Sequence, residues 1–423
     1  MITLKKGEIG PFVQLVKLAL KRAGYETDLG ISFGDGLEET VRQFQAENGI
    51  ASDGIVGSET WERLKPYILG YRTVYAADGD TLQSISETNN ADYNAVKTAN
   101  PKLGENLKKG DRVVVPFKFS VVPTDIKYTG ELVSYITEGL AARYPFLETG
   151  SFGKSVMGKE LYYIKIGTGE TEVFYNAEHH ANEWITTPVL LKFTEEYADA
   201  YSNSESLGEI AARELYESKT LYVAAAVNPD GMDIVNGGMP VGEFYNNVLA
   251  ISKNYPNIPF PDGWKANVAG TDLNLNYPAN WNKARENKYA LGFISPAPRD
   301  FVGTEPLSAP ESLAVYNFTV SHNFKLTLSY HTQGKTIYWK YLEYLPPNSY
   351  TIGVSLSEAS GYTLELTPPA AAYAGYKDWF IQAYNRPGYT IEAGLGTNPL
   401  PLEQFDEIYR DNLGLLVTAL EMA

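Results

Sequence analysis

The chain has 423 residues, 44% hydrophobic and 13% aromatic, which is enough for two to four globular domains with cores of their own. Its formal net charge of −16 disfavours nucleic acid and anionic membrane surfaces as partners. With no cysteine there are neither disulfides nor thiolate metal ligands, and no run approaches the about 18 apolar residues of a membrane span, so no membrane insertion is expected.

The first helix is expected from Val13, Val16, Leu18 and Leu20. Gln14, Lys17, Lys21 and Arg22 interrupt its apolar face, so the pattern reads as an amphipathic helix and not as a signal peptide. A second helix is expected over 37–47, with Val41 and Phe44 on its apolar side. A third, short one runs from a cap at Ser58 to Leu64, after the turn Asp53-Gly54-Ile55-Val56-Gly57. Next come a strand at 72–75, a helix capped by Asp80 and running to Ser86, a helix over 93–98, and a short strand Val113-Val114-Val115 closed by Pro116. The turn-rich stretch from Ser120 to Thr129 leads into a long third piece. There, helices at 131–144, 187–201, 310–323, 353–360 and 403–420 alternate with strands at 172–177, 221–227, 325–330, 336–339 and 389–392. That rhythm predicts an α/β domain with a mixed central sheet flanked by helices, in which functional side chains gather beyond strand ends.

Histidine is scarce, with four in the chain, yet two of them stand in settings that suit zinc. One is His180-Ala181-Asn182-Glu183-Trp184, just past an expected strand. The other is His331, just past a second. An imidazole and a carboxylate three residues apart, joined by a distant imidazole, supply three ligands and leave a fourth position for water. Gly388-Tyr389-Thr390-Ile391-Glu392 ends a third strand on a carboxylate suited to a general base. There is no HExxH, and the reversed HxxEH pattern would need histidine where Trp184 stands. His179 is read as a packing or hydrogen-bonding residue, and His322, near a helix end, as structural.

Three resemblances follow from these residues. Val41-Arg42-Gln43-Phe44-Gln45, Asn48-Gly49-Ile50, Asp53-Gly54-Ile55-Val56-Gly57, Thr60-Trp61 and Leu64 resemble the peptidoglycan-binding three-helix domain, placed at 1–69. Asp78-Gly79-Asp80-Thr81-Leu82, Ile85, Asn100-Pro101, Leu107, Gly110 and Val115-Pro116 resemble a βααβ LysM module, placed at 70–118, which implies a groove for N-acetylglucosamine-containing glycans. In the third piece, 119–423, the two metal motifs are joined in order by Asn228-Pro229-Asp230-Gly231, Gly270-Thr271-Asp272-Leu273-Asn274, Asp378-Trp379 and Thr390-Ile391-Glu392. Together they are similar to the zinc metallocarboxypeptidase family.

The last resemblance implies one Zn²⁺ held by His180, Glu183 and His331, with Glu392 moving a proton from a zinc-activated water to the leaving amine. It implies that Asp272 holds the ring of His180, that Lys265 polarises the scissile carbonyl, and that Tyr373 covers bound substrate. Asn274 and the residue after it would contact substrate. Where that family usually reads Asp-Leu-Asn-Arg-Asn, this chain has Asp272-Leu273-Asn274-Leu275-Asn276, and leucine cannot clamp a terminal carboxylate. Ordinary C-terminal trimming is therefore disfavoured unless another cation, such as Arg299 or Arg386, takes its place. The γ-D-glutamyl-L-diamino acid endopeptidases of bacilli carry wall-binding modules ahead of a carboxypeptidase-like domain, the same order as here. Their resemblance implies cleavage of the γ-D-Glu–diaminopimelate (or lysine) bond of peptidoglycan stem peptides. A wall-targeted zinc carboxypeptidase of broader specificity acting on C-terminal residues, and a wall-binding protein without activity, are the competing readings. Peptidoglycan is the expected partner and, being anionic too, would be met through shape and aromatic contacts. Wall-associated or extracellular placement is expected, with a spore or mother-cell interior as the alternative for a chain without a visible signal peptide.

Overall fold

A computed structural model describes residues 2–368 and 371–423. The chain divides into two compact units, one of residues 1–127 with 131–148, the other of 128–130 with 149–423.

The first unit begins with α1 (Pro11–Arg22), α2 (Asp35–Glu47) and α3 (Ser58–Leu69). Val13, Val16, Val41, Phe44, Trp61 and Leu64 are buried, as their helical spacing requires. Gln45 organises the turn between α2 and α3: its amide nitrogen donates to Asp53 Oδ1 and Ile55 O at 2.9 Å, and its oxygen accepts from Gly54 N at 2.8 Å. Gly54 sits at φ +75°, a conformation that glycine adopts without strain. Ser58 was expected as the cap of α3; the N-cap is Gly57, and the helix continues five residues beyond Leu64.

Strands β1 (Tyr71–Tyr75) and β2 (Arg112–Pro116) pair antiparallel around α4 (Leu82–Thr88) and α5 (Tyr93–Ala99), giving the βααβ order. Asp80 was expected to cap α4. Thr81 does so, in a reciprocal box with Ser84, while Asp80 accepts from Ala77 N. Asn100 is buried and ties α5 to β2, donating to Val96 O and Val114 O at 2.7 Å and accepting from Val114 N at 2.9 Å. Helix α6 (Gly130–Arg143), expected to open the third piece, packs within this first unit. A Cβ on its Gly139 would meet Leu69 O at 2.3 Å.

The second unit is built on an eight-stranded sheet. In chain order its strands are β3 (Glu148–Lys154), β4 (Glu160–Gly167), β5 (Thr171–Ala177), β8 (Lys219–Ala224), β9 (Leu326–His331), β10 (Thr336–Tyr338), β11 (Thr363–Glu365) and β12 (Gly388–Glu392). Across the sheet they run β11-β10-β12-β9-β5-β8-β4-β3, and a small hairpin, β6 (Ser206–Leu207) and β7 (Ile210–Ala211), lies apart. The centre β12-β9-β5-β8 is parallel, and β10 and β4 join it antiparallel, so the sheet is mixed as expected. The helices are α7 (Thr186–Asn203), α8 (Ala212–Ser218), α9 (Pro229–Asn236), α10 (Glu243–Lys253), α11 (Trp281–Ala290), α12 (Pro310–Val320), α13 (Ser349–Ser360), α14 (Tyr376–Tyr384) and α15 (Phe405–Met422).

The central strands are buried on both faces and read as apolar runs, which is why β5, β8, β9 and β12 were visible in the sequence. The outer strands β3, β4 and β11 and helices α8 to α11 and α14 were not, because half-exposed strands and helices of two or three turns give too little pattern to read. Register then sets the site. Ala177 pairs with Tyr330, and Glu392 with His331, so the carboxyl ends of β5, β9 and β12 finish level with one another.

Candidate metal centre

Past Ala177 the chain leaves β5 through Glu178, at φ +62°, and His179, then enters a 3-10 turn over Ala181–Glu183 with His180 as its N-cap. Ala181 N donates to Lys265 O at 3.0 Å, and Glu183 N to His180 O at 3.0 Å, which fixes the turn. Helix α9 lies close against it: a Cβ on Gly231 would meet Ala181 Cβ at 2.7 Å, so only glycine admits this packing.

The turn points His180 and Glu183 at the end of β9, where His331 stands. His180 Nδ1 and His331 Nδ1 are 3.3 Å apart, His180 Nδ1 is 3.1 Å from Glu183 Oε1, and His331 Nδ1 is 2.9 Å from Glu183 Oε2. Tetrahedral zinc with bonds of about 2.0–2.1 Å places its ligand atoms about 3.3 Å from one another. The donor set, two imidazoles and one carboxylate with Glu183 and His331 almost fully buried, fits that ion. Asp272 Oδ1 lies 3.0 Å from His180 Nε2. A carboxylate only accepts there, so Nε2 carries a proton toward Asp272, and Nδ1 is the nitrogen that would serve a metal ion.

Charge is concentrated around these donors. Lys265 Nζ lies 2.7 Å from Glu183 Oε1, and Thr332 N and Asn398 Nδ2 also donate to Glu183. Burial works against the Glu183 anion, but Lys265 and His180 outweigh it and hold its carboxyl well below the usual range. Burial likewise opposes a charged His180, yet Glu183 and Asp272 raise it to about 9. Burial, seconded by Glu183, pushes Glu392 up to about 8. Two carboxylates thus compete to be charged in one buried pocket, a conflict that a divalent cation relieves.

A cavity of about 210 Å³ opens from the donors. It gathers nearly every residue singled out from the sequence: His180, Glu183, His331, Glu392, Lys265, Asp272, Asn274 and Leu275 all line it. Asn274 is held in place, its oxygen accepting from Tyr376 N at 3.0 Å while its nitrogen lies 3.3 Å from His331 Nε2. Tyr373 packs beside Leu275 against Trp281, Ala284, Val302 and Ala374. Of the two arginines considered as substitutes for a clamp, Arg299 lines the cavity, whereas Arg386 donates to Phe324 O and Asn323 Oδ1 before the start of β9. His179 Nε2 lies 2.9 Å from Tyr277 Oη and His322 Nδ1 2.7 Å from Phe318 O, as befits packing residues. The sequence reading missed Asn398, Lys288, Asp300 and Lys377. Their spacing to the metal motifs is irregular, and only the fold, through α11, α14 and the loops that hold Asp300 and Asn398, brings them in.

A largely buried set of two imidazoles and one carboxylate at the carboxyl edge of a mixed α/β sheet has the donors of a catalytic zinc site. The chain belongs to the zinc carboxypeptidase family, which matches residues 133–414, and it also carries a peptidoglycan binding domain, matched over residues 9–64. It is 43% identical over 281 residues to gamma-D-glutamyl-L-diamino acid endopeptidase 1 of Lysinibacillus sphaericus, covering 66% of this chain and 69% of that protein. It is 37% identical over 281 residues to the protein YqgT of Bacillus subtilis, covering 66% and 73%. Among solved structures, bovine thrombin-activatable fibrinolysis inhibitor shares the fold, with a TM-score of 0.53 at 19% identity over 71% of this chain and 98% of that one. No helix among the described residues is long and apolar enough to cross a membrane.

Proposed function

We propose that this zinc peptidase hydrolyses peptidoglycan stem peptides at the γ-D-glutamyl–diamino acid bond. His180 Nδ1, His331 Nδ1 and Glu183 would hold the metal. Bound zinc supplies Lewis-acid polarisation of water and of the scissile carbonyl. Glu392, at the end of β12, takes a proton from the attacking water and delivers it to the leaving amine nitrogen. Lys265, whose ammonium faces Glu183, offsets the charge gathering on the carbonyl oxygen. Asp272 keeps the His180 ring oriented, Asn274 and Leu275 form part of the substrate wall, and Tyr373 closes over bound peptide.

Leu275 carries the choice of bond. It lines the metal cavity at the position where the related carboxypeptidases carry their carboxylate-clamping arginine, and an aliphatic side chain gives a terminal carboxylate no partner. The peptidoglycan-binding domain and the 43% identity to a γ-D-glutamyl-L-diamino acid endopeptidase support the same substrate. The βααβ piece over 70–118 serves as a LysM glycan-binding module, and with the three-helix domain over 1–69 it holds the catalytic domain over 119–423 at the cell wall. The test compares L-Ala-γ-D-Glu-meso-diaminopimelate with hippuryl-type C-terminal substrates, each with and without chelator. Chelator-sensitive release of diaminopimelate is expected; rapid turnover of the hippuryl set alone refutes the endopeptidase reading.

A further inference from the structure

Four cations line the metal cavity, and three of them are engaged by protein groups. Lys265 is bound to Glu183 and Lys288 to Asp300. Lys377 is almost fully buried, donates to Lys340 O at 3.0 Å and Thr367 Oγ1 at 2.8 Å, and pairs with Asp378. Arg299 differs. Its Nε donates to Asp300 Oδ2 at 2.8 Å, and among the described residues neither terminal guanidinium nitrogen has a protein partner. Its side chain is 42% exposed and therefore reachable from the cavity.

The segment that carries Arg299 is fastened on both sides. Pro298 O accepts from Lys265 N at 2.8 Å and from Ala266 N at 2.9 Å. Asp300 N donates to Asp272 Oδ2 at 3.1 Å, and Asp272 in turn holds His180. With Nε anchored, the guanidinium plane is set and its outer edge keeps two parallel N–H groups, the pattern that grips both oxygens of a carboxylate. The rest of the lining includes Glu183, Asp272, Asp300, Asp378 and Glu392, so an anionic substituent needs a fixed cation to enter at all.

We propose that Arg299 is a specificity-determining residue that binds a free carboxylate of the substrate, the role for which Leu275 is unsuited. The assignment rests on the stem-peptide reading and deepens it. A γ-linked substrate offers two sources of this group. One is the α-carboxylate of the glutamate, left free because the chain continues through the γ-carbon; the other is a carboxylate of the diamino acid.

The experiment uses the full-length zinc-loaded enzyme and three substrates: L-Ala-γ-D-Glu-meso-diaminopimelate, its glutamate α-carboxamide, and its diaminopimelate carboxamide. kcat/KM is measured for wild type, Arg299→Ala and Arg299→Lys. Wild type is expected to prefer the charged substrate over one of the two amides by about 10- to 100-fold, the range for a hydrogen-bonded charge. Arg299→Ala is expected to lose that preference, and Arg299→Lys, which keeps the charge without the fork, to retain part of it. The amide that wild type discriminates against identifies the carboxylate. Ratios between substrates do not depend on the folded fraction of a variant. A uniform fall on all three substrates, or no change, overturns the role of Arg299 while the stem-peptide reading stands. Failure of wild type to cleave any of the three overturns that reading and this assignment together.

Discussion

Asp272 offers a direct test of how the chain orients its metal donors. Both carboxylate oxygens accept: Oδ1 from His180 Nε2 at 3.0 Å and Oδ2 from Asp300 N at 3.1 Å, in a residue that is 3% exposed. Asparagine is nearly isosteric but has only one acceptor oxygen. Whichever way the amide turns, its NH₂ faces one of two N–H donors, and one buried donor is left without a partner. If the carbonyl stays toward Asp300, His180 loses the charged partner that fixes its ring. A hydrogen bond to a charged group contributes about 1.5–3 kcal/mol, so Asp272→Asn should weaken zinc binding by about 10- to 100-fold. Competition with a chromophoric chelator measures the zinc Kd, and circular dichroism checks that the fold survives. A Kd within threefold of wild type would refute the argument that Asp272 acts through His180.

Glu392→Gln should retain stoichiometric zinc yet lose about 100- to 10,000-fold in kcat, the usual contribution of a general base; metal analysis beside stem-peptide assays checks both halves. Glu311 provides a pH test remote from the donors. It is fully buried, accepting from Val156 N and Asn267 Nδ2 at 2.9 Å, and burial, countered in part by these donors, lifts it from 4.5 to about 7. Its folded pKa lies above the unfolded value, so its stabilisation is complete below pH 4.5 and falls as the pH rises to about 7. The loss is at most about 3 kcal/mol. Glu311→Gln should therefore gain relative to wild type by up to that amount between pH 4.5 and 8 in urea unfolding; a difference that does not vary with pH would count against it. Deleting residues 2–119 should abolish co-sedimentation with cell-wall sacculi. Because α6 packs within the first unit, the same deletion should lower the Tm by exposing that helix, whereas an unchanged Tm would show that α6 does not depend on the residues removed.

How much of this was legible in the sequence follows from the range of the forces involved. His180 and Glu183 share one turn, and His331 and Glu392 end buried strands whose apolar runs are readable residue by residue, so local pattern alone nominated them. The three-helix domain was legible for the same reason, with glycine at 54 where the backbone needs a positive φ. Lys265 and Asp272 were named through resemblance, but their attachments, to Glu183 and to His180, exist only in the fold. Asn398 reaches Glu183 across 215 positions, and Arg299 owes its place to a loop fastened at Lys265 and Asp272. Helix α6 reads as amphipathic in sequence, but nothing in that pattern says which core receives it. The sequence by itself determined the donor chemistry and the elements that carry it, because ligand identity and apolar periodicity are local properties. The tertiary structure alone decided which charges meet, because the level ends of β5, β9 and β12 and the loops beyond them are set by strand register and long-range hydrogen bonds.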